Sequence, residues 1–340
     1  MVLKERKAVL AAVHAASVFM NTAATIDKVV GFIEEGGRQG VQFMAFPEAF
    51  VPGYPYWLNN FAPMFNLEIN VHYTSVSIEI PGAEILRVQS ACRASKVAVV
   101  LGVSERMIGT RTCFNTQVFI DRDGSILGKH RKLQPTYAEK MVWAHGGGAT
   151  LRIFDSTVGR LGGLVCSEHV LCGAKQALID QHEEIHAASW PAISSQRGLN
   201  TFDGVVEGMA RSHAYSAQAF VVTSSSFVDQ DCLDWISKNV GHQERVQRGG
   251  GWSAITHPFS VHLAGPAAGV GEKLLVAEVE FAALDRGKQL FDGAGHYSRP
   301  EVLKTHVNFS PLWADESWPA GSLLDEQLLA GPDEADGHAM

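Results

Sequence analysis

The sequence predicts an α/β fold whose sheets are covered by helices, and three observations carry that expectation. Apolar runs of strand length recur along the chain, helix-like segments lie between several of them, and one Asp-Gly turn joins two runs directly.

Taken in order, the first run is AVLAAVHAA (8–16). Basic residues precede it in the manner of a signal peptide, but His14 interrupts it and no convincing cleavage site follows, so it reads as a first strand. ATIDKVVGFIEEGGRQ (24–39) has helical spacing and leads to a second strand, VQFMAF (41–46). EILRVQSACRAS (84–95) and VAVVLGVS (97–104) repeat the helix-then-strand order. TQVFID (116–121) runs through Asp123 and Gly124, a favoured hairpin pair, into SILGKHRK, which places one antiparallel hairpin in the sheet. RLGGLVC (160–166), IHAASW (185–190), AFVVTSS (219–225) and LLVAEVEF (274–281) read as further strands. GAKQALIDQH (173–182) and FDGVVEGMARSHAYSAQ (202–218) read as helices. Neither an internal repeat nor a Pro/Ser-rich linker divides the chain, so residues 1–310 are expected to form a single domain. Residues 311–340 form a C-terminal extension, and its polar end, DEADGHAM, is expected to fray.

Composition narrows the classes of function. With 340 residues, 46% hydrophobic, 19% charged and a net charge of −8, the chain reads as a soluble globular protein. Its acidic balance argues against nucleic-acid or anionic-membrane partners and favours a small or neutral substrate. No run approaches 18 uninterrupted apolar residues, so no membrane span is expected. The five cysteines make an odd set without a CxxC pair, as in reduced thiols of a cytoplasmic protein. One of them is therefore free for chemistry.

Three polar residues stand where apolar strands stop: Glu48 after VQFMAF and Pro47, Lys132 at the end of SILGKHRK, and Cys166 after RLGGLV. Strand ends are where α/β folds gather ligand sites. Each residue alone has a plain structural reading: a small buried hydrophobe, a loop opener, part of a solvated basic face. Together they form a device. A thiol of ordinary pKa ~8.5 needs a base to become a nucleophile, which Glu48 supplies, and Lys132 can hold the negative charge that follows attack.

FPEAFVPGYP (46–55), HRKLQPTYAEKMVW (130–143) and GRLGGLVCSEHV (159–170) resemble, in order and spacing, the three motifs of the nitrilase superfamily of carbon–nitrogen hydrolases. The resemblance spans most of residues 8–310 and implies an αββα sandwich. It implies Cys166 as nucleophile, Glu48 as general base, Lys132 as stabiliser of intermediates, and Glu139 as the group that orients Lys132 and shares in proton transfer. The Ser167 backbone N–H would assist Lys132. FDGAGHYSRPEVL (291–303), with Glu168 and His169, is similar to the true nitrilase branch. That branch hydrolyses an organic nitrile to the carboxylic acid and ammonia through a cysteine thioimidate, with no metal or organic cofactor. A cyanide hydratase or dihydratase and an amidase are alternatives on the same fold, and a non-catalytic filament or scaffold is a third. The resemblance also implies homo-oligomers, dimers extending to spiral filaments.

Tyr54, Tyr56, Trp57, Phe61 and Phe65 make an aromatic loop just after Glu48. Tyr54, Trp57, His169, Trp190 and Pro191 are the candidate substrate pocket, suited to aryl or arylaliphatic nitriles; the same rings could instead pack the loop or an interface. The sequence departs from the family pattern in two places. Ser167 stands where Trp commonly follows the cysteine, and Gly147 and Ala149 stand where Asp and Ser are usual. HEEIH (182–186) formally matches the zinc motif HExxH, but a strand begins at Ile185, so His182 and His186 are expected to straddle a turn and form no zinc site. The GGG runs at 146–148 and 249–251 read as turns.

Overall fold

Successive side chains of a strand point to opposite faces, so a strand apolar at every position must be covered on both. In β1 (Lys7–His14), Leu10 and Ala12 face one way, Ala11 and Val13 the other, and all four are buried. The same demand recurs along the chain and produces four layers.

The structure is a computed structural model and describes residues 6–193 and 201–316. β1 is followed by α1 (Thr22–Arg38), β2 (Phe43–Ala45), α2 (Leu67–Val76), α3 (Ala83–Ser95), β3 (Ala98–Arg106), β4 (Cys113–Ile120) and β5 (Ile126–Arg131). The second series is β6 (Phe154–Asp155), β7 (Arg160–Val165), α4 (Cys172–Asp180), β8 (Ile185–Trp190), α5 (Thr201–Ala217), β9 (Phe220–Ser225), α6 (Gln230–Asn239), β10 (Trp252–Thr256) and β11 (His262–Ala268). β12 (Lys273–Glu280) then crosses back to the first sheet, and α7 (Ala282–Phe291) follows.

Two six-stranded sheets result, ordered β12-β1-β2-β3-β4-β5 and β11-β10-β9-β8-β7-β6. Each has three parallel strands at its centre, β1-β2-β3 and β7-β8-β9, with antiparallel strands on both sides. The chain thus builds one arrangement twice, although no repeat shows in its residues. Leu10, Phe43 and Phe119 of the first sheet meet Leu161, Ile185 and Phe220 of the second across the central layer. On the outer faces, Ile26, Val29 and Val88 of α1 and α3 cover the first sheet, and Val206, Ala210 and Ala214 of α5 cover the second. This is the αββα sandwich the sequence resemblance implies. Among the described residues, no helix is long and apolar enough to cross a membrane.

Polar stitches set the position of one sheet over the other. Gln117 of β4 donates from Nε2 to Ala187 O at 3.0 Å and Ser189 Oγ at 2.8 Å on β8. Gly163 leaves room for it, since a Cβ there would run into the Gln117 side chain. Ser189 Oγ donates to Phe46 O at 2.9 Å, and Ser224 Oγ donates to Ala45 O at 2.7 Å. A buried partner left unsatisfied costs about 1–3 kcal/mol, so these bonds hold the end of β2 against the ends of β8 and β9.

The basic run Lys129–His130–Arg131–Lys132 is not a solvated face: all four side chains are buried, each beside a carboxylate. Lys129 and Arg131 share Glu105 and Asp315. Asp315 and its neighbour Glu316 belong to the C-terminal extension, so residues 311–316 dock on the body of the fold. DEADGHAM lies outside the described residues. The HEEIH segment runs from the turn after α4 into the first two residues of β8, with His182 in a left-handed turn at φ 61°. His182 and His186 therefore share no helical face.

Candidate active site

Each site residue is placed by the end of a strand. β2 stops at Ala45, and Glu48 follows Pro47, its backbone N–H reaching Trp190 O at 3.4 Å. Lys132 is the first residue past β5, and Cys166 the first past β7. Glu139 rides on a short 3-10 turn, Tyr137–Met141, that begins with a capping box at Thr136. Three non-glycine residues with left-handed backbone stand beside these groups: Ala49 at φ 42°, Tyr137 at 49° and Cys166 itself at 54°. Such conformations cost about 1–3 kcal/mol each and cluster where a side chain must be presented rather than merely buried.

The structure brings Glu48, Lys132 and Glu139 into direct contact. Lys132 Nζ donates to Glu48 Oε1 at 2.8 Å and Glu139 Oε2 at 2.7 Å, with all three side chains buried. Glu139 is fully engaged: Tyr54 OH donates to its Oε1 at 2.9 Å, and the Thr136 N–H donates to its Oε2 at 2.8 Å. Glu48 differs. Its Oε1 also accepts Asn115 Nδ2 at 2.6 Å, but among the described residues its buried Oε2 has no partner. One carboxylate is thus committed to holding the ammonium, and the other keeps an oxygen free to take a proton.

Electrostatics separate the groups further. Burial pushes the Glu48 carboxyl up to about 7, with Lys132 opposing and Glu139 adding to the rise. The Cys166 thiol is driven well above its ordinary value by burial and then by Glu48, against the pull of Lys132. Burial also works against the Lys132 ammonium, but Glu48, Cys166 and Glu139 outweigh it and hold the proton on. The arrangement is a protonated thiol beside a carboxylate that titrates near neutrality and a permanent cation. Ser167 Oγ lies 3.6 Å from Cys166 Sγ, and the Ser167 N–H sits in the first turn of the short helix Cys166–Val170, where N–H groups lack intrahelical partners.

Sequence reasoning misses Asn115 and the structural part of Glu168. Glu168 accepts the Val165 N–H at 2.9 Å, the Leu133 N–H at 2.7 Å and His130 Nε2 at 3.0 Å. It therefore ties the residue before the thiol to the residue after the lysine. His130 is held above its ordinary value: burial lowers it, but Glu168 prevails. Asn115 and Gln117 alternate along β4 on the face that bears Phe119, a pattern that reads as a solvent face in a half-exposed strand.

Residues 9–289 match the family model described as "Carbon-nitrogen hydrolase". The chain belongs to the carbon–nitrogen hydrolase family. It is 36% identical to an "Aliphatic nitrilase" of Rhodococcus rhodochrous, over 88% of this chain and 82% of that one. It is also 36% identical to a "Nitrilase" of Pseudomonas syringae pv. syringae (strain B728a), over 96% of this chain and 97% of that one. These relatives place it in the nitrilase superfamily. A solved carbon-nitrogen hydrolase from Helicobacter pylori G27 shares the fold with a TM-score of 0.68 at 16% identity, covering 87% of this chain and 97% of that one.

In this carbon–nitrogen hydrolase a small cavity opens at Glu48, with Phe19, Tyr54, Tyr56 and Phe227 in its wall. Two residues the sequence places in the pocket, Trp57 and His169, are set back from that wall. Trp57 is fully buried, its indole N–H bonded to Asn70 Oδ1 at 2.9 Å, because its ring fills the cluster with Tyr73 and Trp235. His169 lies behind the thiol, its ring stacked on Trp190 at 5.0 Å. The Trp190 ring also meets Phe202 of α5, and Pro191 is buried with its carbonyl accepting Ser225 Oγ at 3.1 Å. Phe65 is 79% exposed and stands on the surface.

The Gly147 departure has a steric account. The Gly147 N–H donates to Glu316 Oε1 at 2.8 Å, and a Cβ at this position would run into the Glu316 carboxylate. A side chain at 147 is thus excluded while the C-terminal segment delivers its own acid there. Among the described residues, Glu183, His186 and His213 are the set compact enough to be weighed as a cation site, their atoms lying within 4.8 Å of one another. His186 Nδ1 and Glu183 Oε1 stand 2.5 Å apart, closer than the roughly 3.3 Å between two ligands of a tetrahedral zinc ion. That is hydrogen-bond spacing, and His182 takes no part in it.

Proposed function

We propose that this carbon–nitrogen hydrolase converts an organic nitrile to its carboxylic acid and ammonia, with Cys166 as nucleophile. The observation that carries the reading is Glu48 Oε2, unpartnered among the described residues, beside a buried thiol and a lysine clamped by two carboxylates. The names of the relatives supply the bond that is cut.

Cys166 Sγ bonds to the nitrile carbon while Glu48 accepts the thiol proton and returns it to the nitrile nitrogen, giving a thioimidate. A first water adds to that carbon as Glu48 passes one of its protons to the nitrogen; the C–N bond then breaks as the remaining hydroxyl proton moves to the nitrogen, so that ammonia leaves and a thioester remains. A second water, activated in the same way, releases the acid and restores the thiol. The sum is one nitrile and two waters in, one acid and one ammonia out. Lys132 and the Ser167 N–H face the negative charge that builds in each addition, and one such donor is typically worth ~10²–10³ in rate. Glu139, with its oxygens engaged, holds Lys132 in place. Aryl or arylaliphatic nitriles are the substrate class this reading takes from the aromatic residues Tyr54 and Tyr56 that follow Glu48; the cavity they line is about 10 Å³ and would have to widen toward Cys166 to admit a ring. The reading takes the protein as cytoplasmic and as a homo-oligomer, dimers extending to a spiral. Met64, Phe65, Leu67 and Val71, exposed together between residues 63 and 76, offer an apolar face for such contacts. Sedimentation velocity showing only monomer at micromolar concentration would remove the assembly.

Ammonia release from a panel of aryl, arylaliphatic and aliphatic nitriles, with the matching amides and cyanide, tests the reading. Release from nitriles with acid as product is expected; release from amides alone would make the protein an amidase. Because Glu48 must be ionised to accept a proton and titrates at about 7, kcat/KM should fall by about tenfold per pH unit below that point. A rate flat from pH 5 to 8 would remove Glu48 from the role of base.

A further inference from the structure

The Cys166–Ser167 peptide has two ends, and only one of them faces the reaction. In a trans peptide the C=O and N–H point in opposite directions, so whatever grips the Cys166 carbonyl aims the Ser167 N–H. That grip comes from His169, whose Nδ1 lies 2.7 Å from Cys166 O. A carbonyl only accepts, so Nδ1 carries a proton. Burial, with His186 and His213 nearby, keeps the His169 ring well below its ordinary pKa, so it is neutral and its Nε2 is an acceptor. His186 Nε2, at 2.9 Å, must then donate to it. On the far side of the His186 ring, Nδ1 stands 2.5 Å from Glu183 Oε1. His213 Nε2 completes the row, donating to Glu183 Oε2 at 3.1 Å. His169, His186, Glu183 and His213 are all 0% exposed.

Counting protons shows what this row holds. The three contacts from Cys166 O through His169 and His186 to Glu183 need three protons, whereas two neutral imidazoles and a carboxylate carry only two. The geometry places the third in the 2.5 Å contact between His186 and Glu183, where the carboxylate holds it against burial and His213, which together push the His186 ring down to about 4. With its other side engaged by Glu183, His186 holds the His169 ring in the tautomer whose Nδ1–H meets the Cys166 carbonyl. A peptide polarised at its oxygen is a stronger donor at its nitrogen. The stacked Trp190 ring keeps His169 from turning out of this line.

We propose that His169, backed by His186 and Glu183, is a positioning residue that fixes and polarises the Cys166–Ser167 peptide, so that the Ser167 N–H is held as the donor to the anion formed when Cys166 attacks. The proposal rests on Cys166 being the nucleophile. It goes beyond the two donors already named, Lys132 and the Ser167 N–H, by giving the backbone donor its own support in His169, His186 and Glu183.

Two reagents separate this role from a merely structural one. Acylation of Cys166 by p-nitrophenyl acetate passes through an oxyanion; alkylation by iodoacetamide, a displacement at saturated carbon, does not. In His169→Leu, acylation of Cys166, followed by nitrophenolate release and intact mass, is expected to fall by about 10²-fold, while alkylation stays within about threefold of wild type. His169→Asn, whose amide N–H reaches the place of Nδ1 but cannot engage His186, should remain within about tenfold of wild type in acylation with alkylation unchanged. It carries the test by itself if the leucine variant does not fold. Both rates falling together would reduce His169 to a prop for the loop, and neither falling would show that the peptide needs no support; either result overturns the proposal. Wild-type protein without an acetyl adduct on Cys166 would overturn it together with the nucleophile assignment. Ammonia release from nitriles is read separately on the wild type, so failure there alone removes the proposed substrate and leaves the positioning role standing.

Discussion

Replacing Cys166 with alanine is expected to lower ammonia release from any nitrile the wild type hydrolyses by about 10⁴-fold or more, the scale of removing a nucleophile from a coupled catalytic set. Glu48→Gln should fall nearly as far, for a different reason. The thiol is held protonated by burial and by the adjacent carboxylates, so attack requires a group that takes its proton at that moment. Among the described residues, Glu48 Oε2 is the buried carboxylate oxygen there without a partner. A glutamine keeps the shape but has no such basicity. The two variants are distinguishable by mass spectrometry of protein quenched during turnover. Cys166→Ala should show no adduct, whereas Glu48→Gln should still show slow alkylation of the thiol by iodoacetamide. Equal ammonia release by wild type and Cys166→Ala would end the catalytic reading.

The largest effect on stability is expected from Glu105→Ala, with a loss of about 3–5 kcal/mol in denaturant unfolding. Glu105 is 1% exposed and accepts Lys129 Nζ at 2.6 Å, Arg131 Nη2 at 2.5 Å and Nε at 2.9 Å, and Thr116 Oγ1 at 2.7 Å. Burial alone would raise its pKa, but Lys129 and Arg131 prevail and keep it ionised. Deleting the acid leaves a fully buried guanidinium with Asp315 as its remaining carboxylate partner, and the uncompensated charge sets the loss. Arg131 also precedes Lys132, so displacement of the strand end should lower activity in step with stability. Asp27→Ala, which breaks an ion pair with Arg87 at the surface, is the control and should cost about 1 kcal/mol or less. A Glu105→Ala midpoint indistinguishable from that control would contradict the account of the buried network.

The strands were legible because parallel strands covered on both faces leave unbroken apolar runs, and the Asp-Gly pair marked the turn from β4 to β5. Glu48, Lys132 and Cys166 could be picked out because each breaks such a run at its end. Other elements gave weaker signals. β10 and β11 lie in the stretch from Gly249 to Gly271, where six glycines and two prolines dilute the strand pattern. α6 begins at the Asp229 cap, but its sequence, QDCLDWISKN, has only four apolar residues, too few for a clear stripe. The supporting polar groups were hidden for a different reason. Asn115, Gln117, His186 and Glu183 each look like surface residues until the second sheet or helix covers them, and a charge is identified as buried only by the partner that arrives from elsewhere in the chain. The docking of Asp315 and Glu316 follows the same rule, since nothing in PLWADES announces that its acids belong to residues more than 150 positions earlier.

The acid and the ammonium are mounted on one sheet and the sulfur on the other, with Gln117, Ser189 and Ser224 as the fasteners between them. Catalytic competence is therefore a property of the joint and of neither half. A molecule whose layers slid by a single residue would keep its strands, its helices and every reactive group, and would still be inert, because the reagents would no longer meet.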